Sequence, residues 1–535
     1  MSAAAIAPST VLSALRRFFA AGLTAAVCAA ALGAEAADAF DHRKVRIALG
    51  KPITTLDQSN AVDQDTRFVL KSVYEGLVGL NEKLEVVPLL AQSWRIAEDG
   101  LSVDFTLRGD VRFHDGSPLT AQAAKASFDR LLDPKNALAR RQPLDFIREA
   151  SVVAPNVLRL TLDAPASVLL KRLAVGGSPL ICPSLLKTPD KIKSEACGTG
   201  PYKFVSSIGR EHLVLERNPD YWGKKPKVGG IVWEWVGENH TRAVMLRTGE
   251  TDIAHPLPFE ERRRIEALAA QPGRSAGMKV LSAGGLQARF LMMNTEYPAL
   301  RDPRVREAVF LAISRDAIVK AVYDGSARPA DGILPPEIDG AVRFPGELFS
   351  PARARSILAD LGLEGKLELP LWSAYNDASA SRAAQLIAQQ LTRAGIRTTL
   401  RFFESGERAA MLGDKTGASR RGMGLYLTGW SNSAAEADWG LRPLFDSRKR
   451  PPVLQNTANF VNPEVDQLLD DAFVEPDDAK RDALYRRIQE IIWTEKPVVP
   501  LVFEDVLTGV SGAIEGVKLL PNGDLDLSEM RFAAD

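Results

Sequence analysis

One segment of the chain constrains the fold more than any other. Residues 367–372 have the composition of a strand, a helix follows from about Ser381, and residues 396–402 alternate apolar and polar side chains as a second strand does. Short links join these elements, which predicts a βαβ unit with parallel strands and a right-handed crossover. Residues 425–428 suit a third strand of the same sheet. The segment therefore predicts an α/β protein.

Polar and aromatic side chains follow two of these strands. Residues 373–377 are Ser-Ala-Tyr-Asn-Asp, and residues 429–433 are Gly-Trp-Ser-Asn-Ser. Ligands of open α/β sheets bind outside the carboxyl ends of the strands. We therefore expect a pocket for a small polar solute at this edge of the sheet.

A compact α+β unit precedes this sheet. Residues 103–108 and 158–162 alternate as half-buried strands do, and Thr120 is placed to cap a helix that runs to Leu132. Further along, Asp302 and Ser314 are placed to cap two consecutive helices.

The amino terminus has the pattern of an export signal. Arg16 and Arg17 precede an apolar run over residues 18–32, and Ala-Glu-Ala closes the segment at residue 36. Residues 1–36 are thus predicted to be a cleaved signal peptide, which places the mature protein in the periplasm. That compartment allows Cys182 and Cys197 to form a disulfide, the alternative being two free buried thiols.

Composition and motifs argue against several classes of function. The 67 basic and 67 acidic residues balance, which disfavours a nucleic-acid partner. The five histidines form no His-Glu-x-x-His pattern, and no Gly-x-Ser-x-Gly elbow is present. We therefore expect a solute-binding protein, with no cofactor and no metal, and not an enzyme. A secreted hydrolase whose site follows no motif is the alternative from another class.

Several stretches resemble one family of exported proteins. They are residues 89–94, 113–116, 198–202, 218–223 and 301–308, and they occur in order along the chain. Together they resemble the extracellular solute-binding proteins of the peptide/nickel ABC-importer family. The resemblance runs across essentially the whole mature chain.

The resemblance implies a particular architecture. Its fold is the two-lobed type II periplasmic binding protein, or Venus flytrap, with an extra α/β subdomain inserted in lobe one. We expect lobe one over residues 37–287, its insertion at about 80–190, lobe two over 288–501, and a return to lobe one over 502–535. The chain would cross between lobes near Ala288 and Leu501. It also implies a monomer that delivers its solute to an ABC permease driven by ATPase subunits.

Within that family, the glutathione-binding proteins fit better than the peptide receptors. Residues 428–431, 436–439 and 443–445 are similar to them. In peptide receptors an acidic residue stands three positions after the Gly-Trp pair, and here that position is Ser433. Glutathione or a related short peptide is therefore the expected solute, and an ordinary di- or oligopeptide is the alternative. The few histidines disfavour a bare nickel ion.

Glutathione carries one ammonium and two carboxylates, so its site needs charges of both signs. Arg289 is the candidate for a carboxylate, or else a surface arginine that caps a strand. Glu436 or Asp438 is the candidate for the ammonium, although Asp438 suits a helix N-cap equally well. Trp430 would stack on the ligand or else belong to the core. The remaining expected contacts are Thr55, Asp57, Tyr375, Asn376, Ser431 and Ser433.

Overall fold

The structure is a computed structural model that describes residues 41–209, 211–272, 277–432, 434–453 and 455–533. The predicted signal peptide and Ser433 lie outside the described residues. In chain order, the strands are β1 (Asp41–Leu49), β2 (Val78–Leu80), β3 (Val86–Pro88), β4 (Ala91–Ile96), β5 (Ser102–Leu107), β6 (Ile147–Ala154), β7 (Val157–Leu162), β8 (Tyr202–Ile208), β9 (His212–Arg217), β10 (Val228–Trp235), β11 (Ile253–His255), β12 (Lys279–Met293), β13 (Ala327–Pro329), β14 (Leu367–Ser373), β15 (Ile396–Phe402), β16 (Leu425–Ser431), β17 (Val498–Val510), β18 (Ile514–Glu515), β19 (Lys518–Leu519), β20 (Leu525–Asp526) and β21 (Arg531–Phe532).

The α-helices, in chain order, are α1 (Gln64–Leu70), α2 (Ala121–Leu132), α3 (Leu169–Arg172), α4 (Pro183–Leu186), α5 (Asn239–Thr248), α6 (Arg262–Ala269), α7 (Pro303–Ala312), α8 (Arg315–Val322), α9 (Pro351–Asp360), α10 (Ala378–Arg393), α11 (Ser405–Gly413), α12 (Ala437–Phe445), α13 (Pro463–Val474) and α14 (Asp478–Glu495). Short 3-10 helices connect several of them, including Gln58–Asn60 and Ala139–Leu144.

The predicted βαβ unit is confirmed. Strands β14 and β15 are parallel along their whole length, and β16 lies parallel on the other side of β14. Helix α10 begins three residues earlier than predicted, because the Asp377 carboxylate accepts hydrogen bonds from the amides of Ser379 and Ala380, both at 3.0 Å. Pro370 is tolerated between two strands because β16 pairs with β14 only from Leu371 onward.

Two long strands connect the halves of the molecule. The 15-residue β12 and the 13-residue β17 are antiparallel, and their pairing shifts register between Gly284 and Gln287. On one side of this shift β17 pairs with β11, and on the other side β12 pairs with β16. The expected crossing points, Ala288 and Leu501, lie within these two strands.

Separate hydrophobic cores define the two lobes. The core of lobe one includes Ile47 on β1, Trp233 on β10 and Phe105 on β5. Two clusters fill lobe two, one around Tyr426 and Phe445 and one around Leu371, Ile387 and Leu427. Ile514, Leu525 and Met530 belong to the lobe-one core, so the chain ends on the lobe in which it began.

The α+β unit inserted in lobe one has its own small sheet. Four antiparallel strands stand in the order β4-β5-β7-β6, and α2 packs against β6 and β7. Thr120 caps α2 as predicted, because its hydroxyl accepts a hydrogen bond from the Ala123 amide at 3.2 Å. The predicted caps of α7 and α8, Asp302 and Ser314, are also present.

Candidate ligand site between the lobes

The two lobes touch directly and exchange side chains. Leu84, at the turn between β2 and β3 of lobe one, is 1% exposed and belongs to the lobe-two core. In return, Phe473 on α13 packs on the lobe-one core, with its ring centroid 5.5 Å from that of Phe146. The hydroxyl of Ser431 lies 3.3 Å from Gln64 Oε1 on α1. Ser431, one of the predicted ligand residues of lobe two, therefore faces lobe one across the junction.

The two carboxylates proposed for an ammonium are joined to an arginine of the other lobe. Arg172 Nε donates to Glu436 Oε1 at 2.9 Å, and its Nη2 donates to Asp438 Oδ2 at 2.8 Å. Arg442 Nε holds the second oxygen of Asp438 at 2.8 Å. All three partners of the interlobe bridge are buried. Glu436, not Asp438, occupies the N-cap position of α12.

Glu436 titrates unusually in this setting. Its pKa is raised to about 7, because burial and the neighbouring Asp438 carboxylate outweigh the opposing effect of the Arg172 guanidinium. Its second oxygen, Oε2, is enclosed and has no hydrogen-bond partner among the described residues. One acceptor of the acidic pair is thus left unused.

Arg289 lies on β12 beside the shift in register. Its Nε donates to Glu504 on β17 at 2.6 Å, and its guanidinium lies 4.8 Å from the centroid of the Tyr375 ring. Burial acts to lower the pKa of Arg289, but the Glu504 carboxylate together with Tyr323 and Tyr375 raises this pKa on balance. Gly429 on the paired strand leaves room for this side chain, because a Cβ there would lie 2.9 Å from Arg289 Nη1. Arg289 is therefore an internal partner of Glu504 and not a surface cap.

Three neutral side chains that were predicted to contact the ligand from lobe two already contact other residues of the protein. Trp430 is half-buried, and its Nε1 donates to the Trp439 carbonyl at 2.8 Å. The Tyr375 ring is also half-buried, beneath Arg289. Asn376 is exposed and its Nδ2 donates to Glu404 Oε1 at 2.5 Å. Ser431 lies at the junction, whereas Asn376 is turned to Glu404.

The two residues expected to reach the ligand from lobe one have structural partners instead. Both carboxylate oxygens of Asp57 accept from Arg130, at 2.5 and 3.2 Å, and the carboxylate also caps the Gln58–Asn60 helix. Thr55 Oγ1 accepts from the Asp57 amide at 3.0 Å. Asp57 is buried within lobe one, so its charge is already matched there.

Two arginines near the junction were not predicted from the sequence. Arg140 lies on the Ala139–Leu144 helix and makes no hydrogen bond or ion pair with any described residue. Burial, together with the nearby charges of Arg67 and Arg172, lowers its pKa to about 9. Arg67 on α1 is 7% exposed and donates to the Val62 carbonyl at 2.8 Å. No motif marks either residue in the sequence.

Cys182 and Cys197 are joined by a disulfide, with their Cα atoms 5.4 Å apart. The bond ties the start of α4 to the turn before β8, within the lobe-one core. Among the described residues, no helix is both long enough and apolar enough to cross a membrane.

Two lobes of α/β structure, joined by paired crossing strands and meeting at a charged junction, define a binding protein for small solutes. Residues 85–451 match the model of the bacterial extracellular solute-binding proteins, family 5. The chain belongs to this family.

Named relatives and solved structures agree with that assignment. The glutathione-binding protein GsiB of Escherichia coli O1:K1 is 35% identical over 503 residues, which cover 94% of this chain and 96% of the relative. DppA from Helicobacter pylori, solved with the peptide STSA, has a TM-score of 0.75 at 24% identity and covers 92% of this chain and 99% of its own. HbpA2 from Haemophilus parasuis has a TM-score of 0.81 at 22% identity and covers 92% and 100%. Both structures share the fold described above.

Proposed function

We propose that this protein is the periplasmic substrate-binding component of an ABC importer and that it binds glutathione or a related short peptide. The observation that carries the proposal is the 35% identity to a glutathione-binding protein over nearly the full length of both chains. In this proposal the protein is a monomer, its residues 1–36 are removed on export, and it passes the solute to a membrane permease driven by ATPases. It makes and breaks no covalent bond.

The acidic pair supports the capture of an ammonium group. Arg172 binds Glu436 through Oε1 alone, which leaves the buried Oε2 as an acceptor. A ligand ammonium at Oε2 would satisfy this oxygen and would favour the ionised carboxylate. Glu436 is therefore the better placed of the two acids, since Arg172 and Arg442 already hold both oxygens of Asp438.

Arg289 is the proposed partner of one ligand carboxylate. Its Nε is held by Glu504, and its Nη groups donate to no residue that the structure describes. The Glu504 contact fixes the guanidinium beside Tyr375, so little side-chain entropy remains to be lost on binding. Trp430 and Ser431 lie on the strand paired with β12, in position to contact the ligand backbone. Thr55, Asp57 and Asn376 have only supporting roles in this proposal.

A panel of solutes tests the proposed function. The exported protein is purified and melted with glutathione, glutathione disulfide, γ-glutamyl fragments and α-linked dipeptides. A ligand at about 100 times its Kd should add about 2.7 kcal/mol to the free energy of unfolding, so glutathione should raise the Tm. If dipeptides raise the Tm and glutathione leaves it unchanged, the protein is a di- or oligopeptide receptor. Hydrolysis of any panel member by pure protein would indicate a secreted hydrolase.

A further inference from the structure

We propose that Arg140 is an anion subsite on the lobe-one side of the junction and that it binds a carboxylate of the solute. This inference rests on the proposed function and adds a second cationic contact to it. Arg289 then takes one carboxylate and Arg140 the other.

The first argument is the absence of any partner for Arg140 among the described residues. Its side chain is half-buried, and its Nε is enclosed without a hydrogen bond. Enclosing a guanidinium N–H without a counter-charge or a hydrogen bond is costly. A bound anion would supply the missing counter-charge.

The second argument is the position of the segment that carries Arg140. The Ala139 amide donates to Asn60 Oδ1 at 3.2 Å, and Arg172 Nη1 donates to the Pro143 carbonyl at 3.1 Å. Asn60 lies in the short helix after β1 of lobe one. Arg172 is the arginine that binds Glu436 of lobe two. Phe146, just beyond the segment, contacts Phe473 of lobe two. Arg140 is therefore held at the junction where the solute is proposed to bind.

The third argument is a comparison with the neighbouring cations. Arg172 is matched by Glu436 and Asp438. Asp524, Asp63 and Asp65 are close enough to Arg67 to oppose the effect of burial on its pKa. No such acid acts on Arg140, whose named electrostatic neighbours are Arg67 and Arg172. The excess positive charge of the junction therefore centres on Arg140.

The shape of the group indicates the class of ligand. A guanidinium offers a planar fork of N–H donors that matches a carboxylate through two parallel hydrogen bonds. Glutathione has two carboxylates that lie at opposite ends of the molecule. A site that holds both ends needs two cations, and in this proposal Arg140 on the Ala139–Leu144 helix and Arg289 on β12 supply them.

Calorimetric titration of variants tests this subsite. Wild type, Arg140→Gln, Arg140→Lys and the control Arg141→Gln are titrated with glutathione and with its monoethyl ester. Arg141 is a matched control because its Nε is bound to the Leu132 carbonyl at 2.9 Å. Loss of one member of a buried charge pair should weaken glutathione binding by at least about 30-fold in Arg140→Gln. Arg141→Gln should bind within about threefold of wild type.

Two further readouts separate ligand binding from a structural role. The ligand-free Arg140→Gln protein should melt at or above the wild-type Tm, because an unmatched buried charge has been removed. If the ester blocks the carboxylate that Arg140 binds, esterification should weaken binding to wild type but not to Arg140→Gln. A dimethyl ester extends this comparison to the other carboxylate.

The outcomes are distinguishable. If wild type binds glutathione and Arg140→Gln binds it within about threefold, the subsite is refuted and the proposed function stands. If wild type binds only dipeptides, the same variants are titrated with a dipeptide and with its carboxyl-terminal amide. The subsite is refuted if wild type and Arg140→Gln bind each of these ligands with equal affinity. If wild type binds none of these solutes, the proposed function fails and the subsite fails with it.

Discussion

At the scale of single residues, the charges between the lobes are unevenly matched. Glu436 and Asp438 share Arg172 from the opposite lobe, whereas Arg140 has no acid among the described residues. A buried ion pair is weak evidence for stability, but removing one member of it is strongly destabilising. The junction should therefore respond sharply to substitutions that change one charge.

The stability of the protein should fall as pH rises through the pKa of Glu436. Its pKa is raised to about 7 from 4.5, so between these values the folded state keeps a proton that the unfolded state has lost. The contribution of this group is complete below about pH 4.5 and is lost as pH rises through 7. Relative to Glu436→Gln, wild type should lose up to about 3 kcal/mol in urea unfolding between pH 5 and pH 8.

The control for this prediction is Glu464→Gln, which neutralises an exposed acid paired with Arg487 at 2.8 Å. It should follow wild type at every pH. A constant difference between wild type and Glu436→Gln from pH 5 to pH 8 would show that burial does not raise the pKa of Glu436.

Residue types were easier to predict than residue partners. The likeness to a family marked Glu436 and Asp438, but their partner Arg172 is 264 and 266 residues away in the chain. Likewise, Asp57 follows a strand, as a ligand residue should. Its carboxylate nevertheless pairs with Arg130, which is 73 residues further along the chain. Pairings over such distances depend on the packed fold and leave no local pattern.

At the scale of elements, the β2–β3 hairpin connects lobe one to the core of lobe two. The Asn81 side chain shapes its turn by accepting hydrogen bonds from the amides of Lys83 and Glu85, both at 2.9 Å. Leu84 adopts a left-handed backbone conformation, with φ at +62°, which a β-carbon makes unfavourable. The turn holds that conformation while the Leu84 side chain is buried in lobe two.

Leu84→Ala should weaken both stability and solute binding. A buried leucine replaced by alanine typically costs about 2 to 5 kcal/mol, and here the lost contacts join the lobes. The variant should therefore favour separated lobes and raise the Kd for the bound solute, as measured by titration. Leu90→Ala is the matched control, since Leu90 is buried in the lobe-one core. It should lower the Tm without a comparable rise in Kd.

An equal change in Kd for Leu84→Ala and Leu90→Ala would contradict this role of the hairpin.

Helix caps and the parallel strands were predicted well, because side-chain to backbone bonds are local and strand order follows from short links. The hairpin was not, since a short turn with one apolar residue resembles any surface turn.

At the scale of the whole molecule, the lobes are connected in two ways. Strands β12 and β17 join them covalently, and the Arg172 bridge joins them across the junction. The first connection persists when the lobes separate, whereas the second exists only when they touch. The bridge therefore contributes to the balance between open and closed forms.

Arg172→Gln should shift that balance toward open lobes. Glu436 would remain buried without its counter-charge in the closed form, and opening would return it to water. Small-angle scattering should show a larger radius of gyration for the ligand-free variant than for wild type. Arg343→Gln, which breaks an ion pair with Asp331 inside lobe two, should leave the scattering unchanged. Identical curves for wild type and Arg172→Gln would refute a role for the bridge in closure.

The two-lobed architecture was predictable from family resemblance, but the continuity of the sheet was not. The βαβ pattern predicted three strands of lobe two. It did not predict that β12 and β17 would connect them to β11 and β1 in one hydrogen-bonded series. Such continuity depends on long strands that change neighbours midway, and their sequences carry no mark of that change.

The return of the carboxyl-terminal segment to lobe one has a consequence for biogenesis. Met530 is fully enclosed in the same core as Ile47, near the other end of the polypeptide. During synthesis and export, the core of lobe one is therefore complete only after the segment from Ile514 onward has been added. Lobe two, an uninterrupted stretch, can mature earlier, so the amino-terminal portion should be the last part to resist proteases.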